Sequence, residues 1–191
     1  MIQYPNKKPV FQKSKMSVKN RGMSFERLID ESNAYYNAHH IAVIHKKPTP
    51  IQIVKVDYPS RQSAKITEAY YKTPSTTDYN GVYKGRYIDF DVKETHSKTS
   101  FPLKNIHPHQ INHLNAVHAQ KGIAFLLIYF KAYDEIFYLP YEALEVFINR
   151  ALKGRQSVTY EELKRVAPMI KEQLNPRIDY LKVIDEITRR Q

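Results

Sequence analysis

The chain has no cysteine, which excludes disulfides and thiolate metal sites and suits a reducing compartment. Nowhere does an apolar run reach the roughly 18 residues that a membrane-spanning helix needs. The opening residues Ile2-Gln3-Tyr4-Pro5-Asn6-Lys7 place no apolar stretch behind the charges, so no secretory signal is read. A cytoplasmic protein without a membrane partner is expected. There is no phosphate-binding P-loop, no dinucleotide-binding glycine pattern, no nucleophile-elbow serine and no internal repeat. Acid is absent from the first 25 residues, which carry Lys7, Lys8, Lys13, Lys15, Lys19 and Arg21. Without hydrophobic periodicity, residues 1–21 read as a flexible basic arm.

What the chain does have is positive charge. Thirty Lys plus Arg against nineteen Asp plus Glu give a formal net charge of +11, and such an excess points to a polyanionic partner, nucleic acid first. At 191 residues with 42% hydrophobic content, the chain suits one well-buried core, expected over residues 22–191.

The run Tyr87-Ile88-Asp89-Phe90-Asp91-Val92-Lys93 alternates polar and apolar with period two. As a half-buried strand it turns Ile88, Phe90 and Val92 to the core and sets Asp89, Asp91 and Lys93 on the opposite face. Asp78 lies beside the turn signal Asn80-Gly81, and a hairpin there brings it back to the same strand face. Two carboxylates with a neighbouring ammonium are the layout of a magnesium nuclease: Mg²⁺ takes carboxylate oxygens and waters, and lysine steadies charge developing on phosphate. The bland alternative is a solvated edge strand with a cross-strand ion pair.

Around this run, Ser24 is an N-cap candidate for a helix over 25–37, with Glu26 in its first turn favouring the helix dipole. A short buried strand is expected over 41–45, and Pro48-Thr49-Pro50 breaks the chain before two strands over 51–58 and 64–72. These two form a protruding ribbon, rich in Lys55, Arg61, Lys65 and Lys72 and preceded by Lys46 and Lys47. The basic side chains suit phosphate contacts, while Tyr58, Tyr70 and Tyr71 suit either base stacking or packing of one or two rings into the core. Pro108 begins a helix to about residue 121 that carries Gln110, whose amide oxygen is within reach of a metal role. His107, His109, His113 and His118 read as helix histidines beside a phosphate-binding surface rather than as a zinc site. Residues 123–130 are a strand buried on both faces, reached by a right-handed crossover. A strand over 136–139, a helix from Pro140, a capping box at Thr159-x-x-Glu162 and a terminal helix over 180–190 complete the reading.

The stretches Asn20-Arg21-Gly22-Met23-Ser24, Ile41-Ala42-Val43-Ile44-His45-Lys46-Lys47-Pro48-Thr49-Pro50, Thr73-Pro74-Ser75-Thr76-Thr77-Asp78-Tyr79-Asn80-Gly81-Val82-Tyr83 and Ile88-Asp89-Phe90-Asp91-Val92-Lys93-Glu94-Thr95 closely resemble the RecU family. RecU proteins are Holliday-junction resolvases of Gram-positive bacteria with the PD-(D/E)XK, restriction-endonuclease-like α/β fold: a mixed central sheet flanked by helices, with a protruding β-ribbon stalk. The resemblance implies Thr76, Asp78, Asp91 and Gln110 as Mg²⁺ ligands, with Mn²⁺ as a substitute, and Asp78, Asp91 and Lys93 as the catalytic set. It makes 51–72 the stalk that enters a four-way junction, with Arg61 and Tyr71 on the DNA; Arg21, Lys46, Lys47, Lys55, Lys65 and Lys72 join them in the expected DNA-binding set. A homodimer, and contacts with RecA and branch-migration machinery, are implied partners. Position 91 departs from the family, which usually has Glu there, and the shorter Asp predicts altered activity or metal preference. Two rival readings are a restriction- or repair-type duplex endonuclease of the same fold and a non-cleaving, junction-binding RecA modulator.

Overall fold

A computed structural model describes residues 24–60, 63–72 and 76–189. The expected arm, with Arg21, and the ribbon's Arg61 lie outside the described residues. The architecture is mixed α/β: a six-stranded central sheet with helices on both faces. In spatial order its strands are β1 (Val43–Lys46), β4 (Tyr79–Tyr83), β5 (Arg86–Thr95), β7 (Ile123–Phe130), β8 (Glu135–Pro140) and β10 (Met169–Ile170). Separate two-stranded sheets pair β2 (Ile51–Asp57) with β3 (Lys65–Tyr71), and β6 (Ser100–Pro102) with β9 (Ser157–Thr159).

One face is covered by α1 (Phe25–Ala38) and α5 (Tyr180–Thr188). In α1 the Ser24 side chain accepts from the Arg27 N–H at 3.3 Å, and Phe25, Leu28, Ile29 and Tyr36 form the buried stripe. Beneath the two helices a row of rings, Tyr79, Phe90, Phe125 and Tyr138, crosses β4, β5, β7 and β8 at centroid spacings of 5.0, 4.6 and 4.5 Å. Each such contact adds roughly 0.5–1.5 kcal/mol beyond area burial, and the row ties the register of these strands. The other face carries α2 (Pro108–Ala119), α3 (Tyr141–Ala151) and α4 (Tyr160–Val166) over Leu114, Leu126, Phe137, Leu144 and Leu163. The capping box forms as expected: Thr159 Oγ1 accepts from the Glu162 N–H at 3.1 Å, and Glu162 Oε2 accepts from the Thr159 N–H at 2.8 Å.

Strand β5 pairs antiparallel with β4 and parallel with β7, so α2 lies on a crossover between parallel neighbours. A strand flanked on both sides and covered on both faces is central, and the period-two pattern at 87–93 has a different meaning from a solvated edge. Asp89 and Asp91 are both 0% exposed. The turn between β4 and β5 also differs from expectation. It falls at Lys84-Gly85, both at positive φ (49° and 76°), while Asn80 and Gly81 lie inside β4. Gly81 is there for close approach: a β-carbon would collide with the Val43 carbonyl oxygen and sit 2.7 Å from Ile44 Cα.

The β2–β3 ribbon stands clear of the core. Tyr58, Tyr70 and Tyr71 are all exposed, Tyr71 at 85%, so the alternative that these rings pack inside does not hold. Strands β6, β9 and β10 leave no mark in the sequence, because two or three residues carry no periodic signal. No helix among the described residues is long and apolar enough to cross a membrane.

Candidate active site

Antiparallel pairing of Tyr79 with Phe90 sets the residue before β4 against the residue after Phe90, and Asp78 meets Asp91. The Asp91 carboxyl is pushed up to about 8, by burial first and then by the Asp78 carboxyl, with Lys93 acting in the opposite direction. Lys93 Nζ donates to Asp91 Oδ1 at 3.0 Å, and its side chain is only 16% exposed. Asp91 Oδ2 is sheltered from water and receives no hydrogen bond among the described residues. Two adjoining ionised carboxyls beside the single Lys93 ammonium leave one negative charge uncompensated in a buried place, which favours uptake of a proton on Asp91 or of a cation. The donors are hard oxygens, the ligand type that suits Mg²⁺ or Mn²⁺.

Asp89, two residues back on the same face, is saturated instead. Its Oδ2 accepts from Lys47 Nζ at 2.8 Å and from the Tyr87 hydroxyl at 2.8 Å, and His113 Nε2 of α2 lies 3.0 Å away. Its Oδ1 accepts from the Thr77 hydroxyl. The two carboxylates looked equivalent in sequence, and their surroundings separate them: Asp89 has a full set of donors, while Asp91 has an oxygen to offer.

Of the other expected ligands, Thr76 stands two residues before Asp78 in the chain and Gln110 stands in the first turn of α2. Thr76 is half-buried, and its hydroxyl donates to the Thr77 carbonyl at 3.4 Å. Gln110 is buried, and its Oε1 accepts from the His107 N–H at 3.0 Å, capping α2. One lone pair of that oxygen is therefore engaged locally. His109, in the first turn of α2, feels both Lys93 and Asp78; burial foremost, then His107 and Lys93, lowers its pKa, and its Nε2 is enclosed without a partner among the described residues. His109 is read from sequence as one of four helix histidines beside a phosphate-binding surface, while nothing in the spacing around Thr77 marks it as functional. No group of three His, Cys, Asp or Glu fit to hold a metal occurs among the described residues; the cluster has two carboxylates.

The expected DNA-contacting residues divide by environment. Lys55, Lys65, Tyr71 and Lys72 are exposed on or beside the ribbon. Lys46 is half-exposed and pairs with Glu26 at 2.5 Å, which raises its pKa. Lys47 is turned inward to Thr77 and Asp89, its side chain 17% exposed.

The family model described as Recombination protein U matches residues 20–186. A protein of Bacillus licheniformis named Holliday junction resolvase RecU is 53% identical, over 98% of this chain and 98% of its own. Proteins of the same name in Bacillus thuringiensis and Bacillus cereus are each 51% identical, over 97% of this chain and 98% of theirs.

Proposed function

Since the chain belongs to the RecU family and is a junction-resolving nuclease, we propose that the Asp78, Asp91 and Lys93 cluster is its cleavage site, with Mg²⁺ as the cation and Mn²⁺ as a substitute. The observation that carries this reading is the buried Asp91 carboxyl, facing a second carboxyl and keeping one oxygen without a hydrogen-bond donor.

Asp78 and Asp91 would hold the cation, with the Thr76 hydroxyl and the remaining lone pair of Gln110 Oε1 completing the set directly or through water. When bound, it supplies Lewis-acid stabilisation of phosphate charge and a more acidic water. Lys93, held by Asp91 at 3.0 Å, presents its ammonium to the negative charge that grows on the phosphoryl oxygens. Water oxygen bonds to phosphorus in line with the departing O3′, the P–O3′ bond breaks, and a proton reaches that oxygen, leaving 5′-phosphate and 3′-hydroxyl ends.

The mixed sheet carrying its acids on a central strand supports the restriction-endonuclease-like fold. The exposed ribbon, with Lys55, Lys65, Tyr71 and Lys72, supports a stalk that meets the junction, joined there by Lys46, Arg61 and the arm that contains Arg21. A four-way junction has two-fold symmetry and needs two symmetric cuts, for which a C2 homodimer is the matching form. Contacts with RecA and a cytoplasmic location complete the reading. The test compares cleavage of a four-way junction with a linear duplex of equal length in Mg²⁺ at moderate salt. Preferential, paired cuts in the junction are expected; equal rates would favour the duplex endonuclease.

A further inference from the structure

Asp89 joins four pieces of chain at one carboxylate. Lys47 comes from the end of β1, Thr77 from the approach to β4, Tyr87 from β5 itself and His113 from α2. Two of the four are also bonded to each other, with Lys47 Nζ donating to Thr77 Oγ1 at 3.0 Å. The backbone repeats the link one residue on, where the Lys47 N–H donates to the Asp78 carbonyl at 2.7 Å. Thr77 is 3% exposed and Asp89 0%, so these bonds form away from competing water.

This arrangement acts on Asp78. That residue precedes β4, outside the regular ladder, and apart from its carboxyl's contact with Asp91 it is tied by its neighbour Thr77 to Asp89 of β5 and by its own carbonyl to the Lys47 N–H at the end of β1. The same ties gather the foot of the ribbon, because residues 47–50 lead from β1 into β2. Asp89 is the poorer cation ligand of the two strand acids, since Lys47, Tyr87 and His113 crowd Oδ2 and the Thr77 hydroxyl engages Oδ1, whereas Asp91 keeps an oxygen without a donor.

We propose that Asp89 is a positioning residue, a clamp that, with Thr77 and Lys47, holds Asp78 in register with Asp91 so that the two carboxyls meet a divalent cation as a pre-formed pair. The inference rests on the cleavage-site reading above. Loss of an outer partner of this kind weakens metal affinity by about 10–100-fold in metal sites generally.

The test uses the full chain and Mn²⁺ alone as probe, read by loss of the free Mn²⁺ EPR signal, beside junction affinity in Ca²⁺, cleavage against Mg²⁺ concentration, and thermal unfolding without metal. Thr77→Val keeps shape and every carboxylate but removes the bridging hydroxyl; Thr77→Ser restores it; Asp89→Asn removes the hub's charge. Mn²⁺ affinity about tenfold weaker in both Thr77→Val and Asp89→Asn, with a matching rise in the Mg²⁺ midpoint, junction affinity within about twofold, and recovery in Thr77→Ser, is the expected result. Should Asp89→Asn fail to fold, the Thr77 pair carries the test. Weakening in Asp89→Asn with none in Thr77→Val would make Asp89 a ligand and overturn the clamp, as would unchanged Mn²⁺ affinity in both. A loss of junction affinity at constant Mn²⁺ affinity also overturns it. If the parent protein fails to cut junctions, the cleavage-site reading falls, while the Mn²⁺ titration still judges the clamp.

Discussion

Raising the pH from 6 to 8 should tighten metal binding steeply, because in the metal-free protein the cation must displace a proton from Asp91. Asp91 is fully buried, and burial followed by the Asp78 carboxyl pushes it up to about 8 against the pull of Lys93. With one competing proton, apparent affinity lies about a hundredfold below its limit at pH 6 and about twofold below it at pH 8, a gain of about fiftyfold. Calorimetric titration with Mn²⁺, in two buffers of different ionisation enthalpy, measures both the affinity and the protons released. Close to one proton per Mn²⁺ is expected at pH 6 and about half a proton at pH 8. The stability sign follows from the same shift: a carboxyl raised above its unfolded value contributes fully below pH ~4, and that contribution is lost as pH climbs toward ~8. The metal-free melting temperature should therefore fall across this window and be restored by Mn²⁺. A flat affinity between pH 6 and 8 with no proton release would refute the raised Asp91 carboxyl.

Lys93→Ala should abolish junction cleavage while leaving binding in Ca²⁺ nearly unchanged, since it removes one charge of many; it also takes away the ammonium that lowers Asp91, so Mn²⁺ binding should shift to higher pH. Replacing the exposed Lys55, Lys65 and Lys72 by Gln should flatten the dependence of log affinity on log salt by about 0.9 for each phosphate no longer neutralised, and an unchanged slope would remove the ribbon from the DNA surface. Gly81→Ala should destabilise the protein by about 1–3 kcal/mol, because the clash is with the Val43 backbone and cannot be relieved by a side-chain rotation. Thermal unfolding would show this as a drop of roughly 2–4 °C per kcal/mol, and an unchanged midpoint would mean that β1 yields freely.

Strong local patterns carried most of the fold. The apolar run over 123–130, the Ser24 cap with its helical stripe and the Thr159-x-x-Glu162 box each hold their own structural signal, and each became the element it announced. The β4–β5 turn lies away from Asn80-Gly81 because that pair is a turn dipeptide only when the chain is free to bend there. Here the same glycine serves the close approach of β1, and Lys84-Gly85 supplies the positive φ values. The ribbon's tyrosines were ambiguous for a related reason. Strand propensity is indifferent to burial, and nothing in residues 51–72 alone says whether another layer covers them.

The sequence by itself determined the chemical inventory: hard oxygen donors and an ammonium on one strand face, a basic surface, no thiols, and long motifs that mark the family. Tertiary structure decided which carboxylate does what. Asp89 and Asp91 have the same type, strand and face, yet β1, Thr77 and α2 bring donors to the first, and Asp78 brings a second acid to the other. Charge state and ligand capacity depend on neighbours distant in the chain and on exclusion of water, and those arise only when the strand is enclosed on both faces.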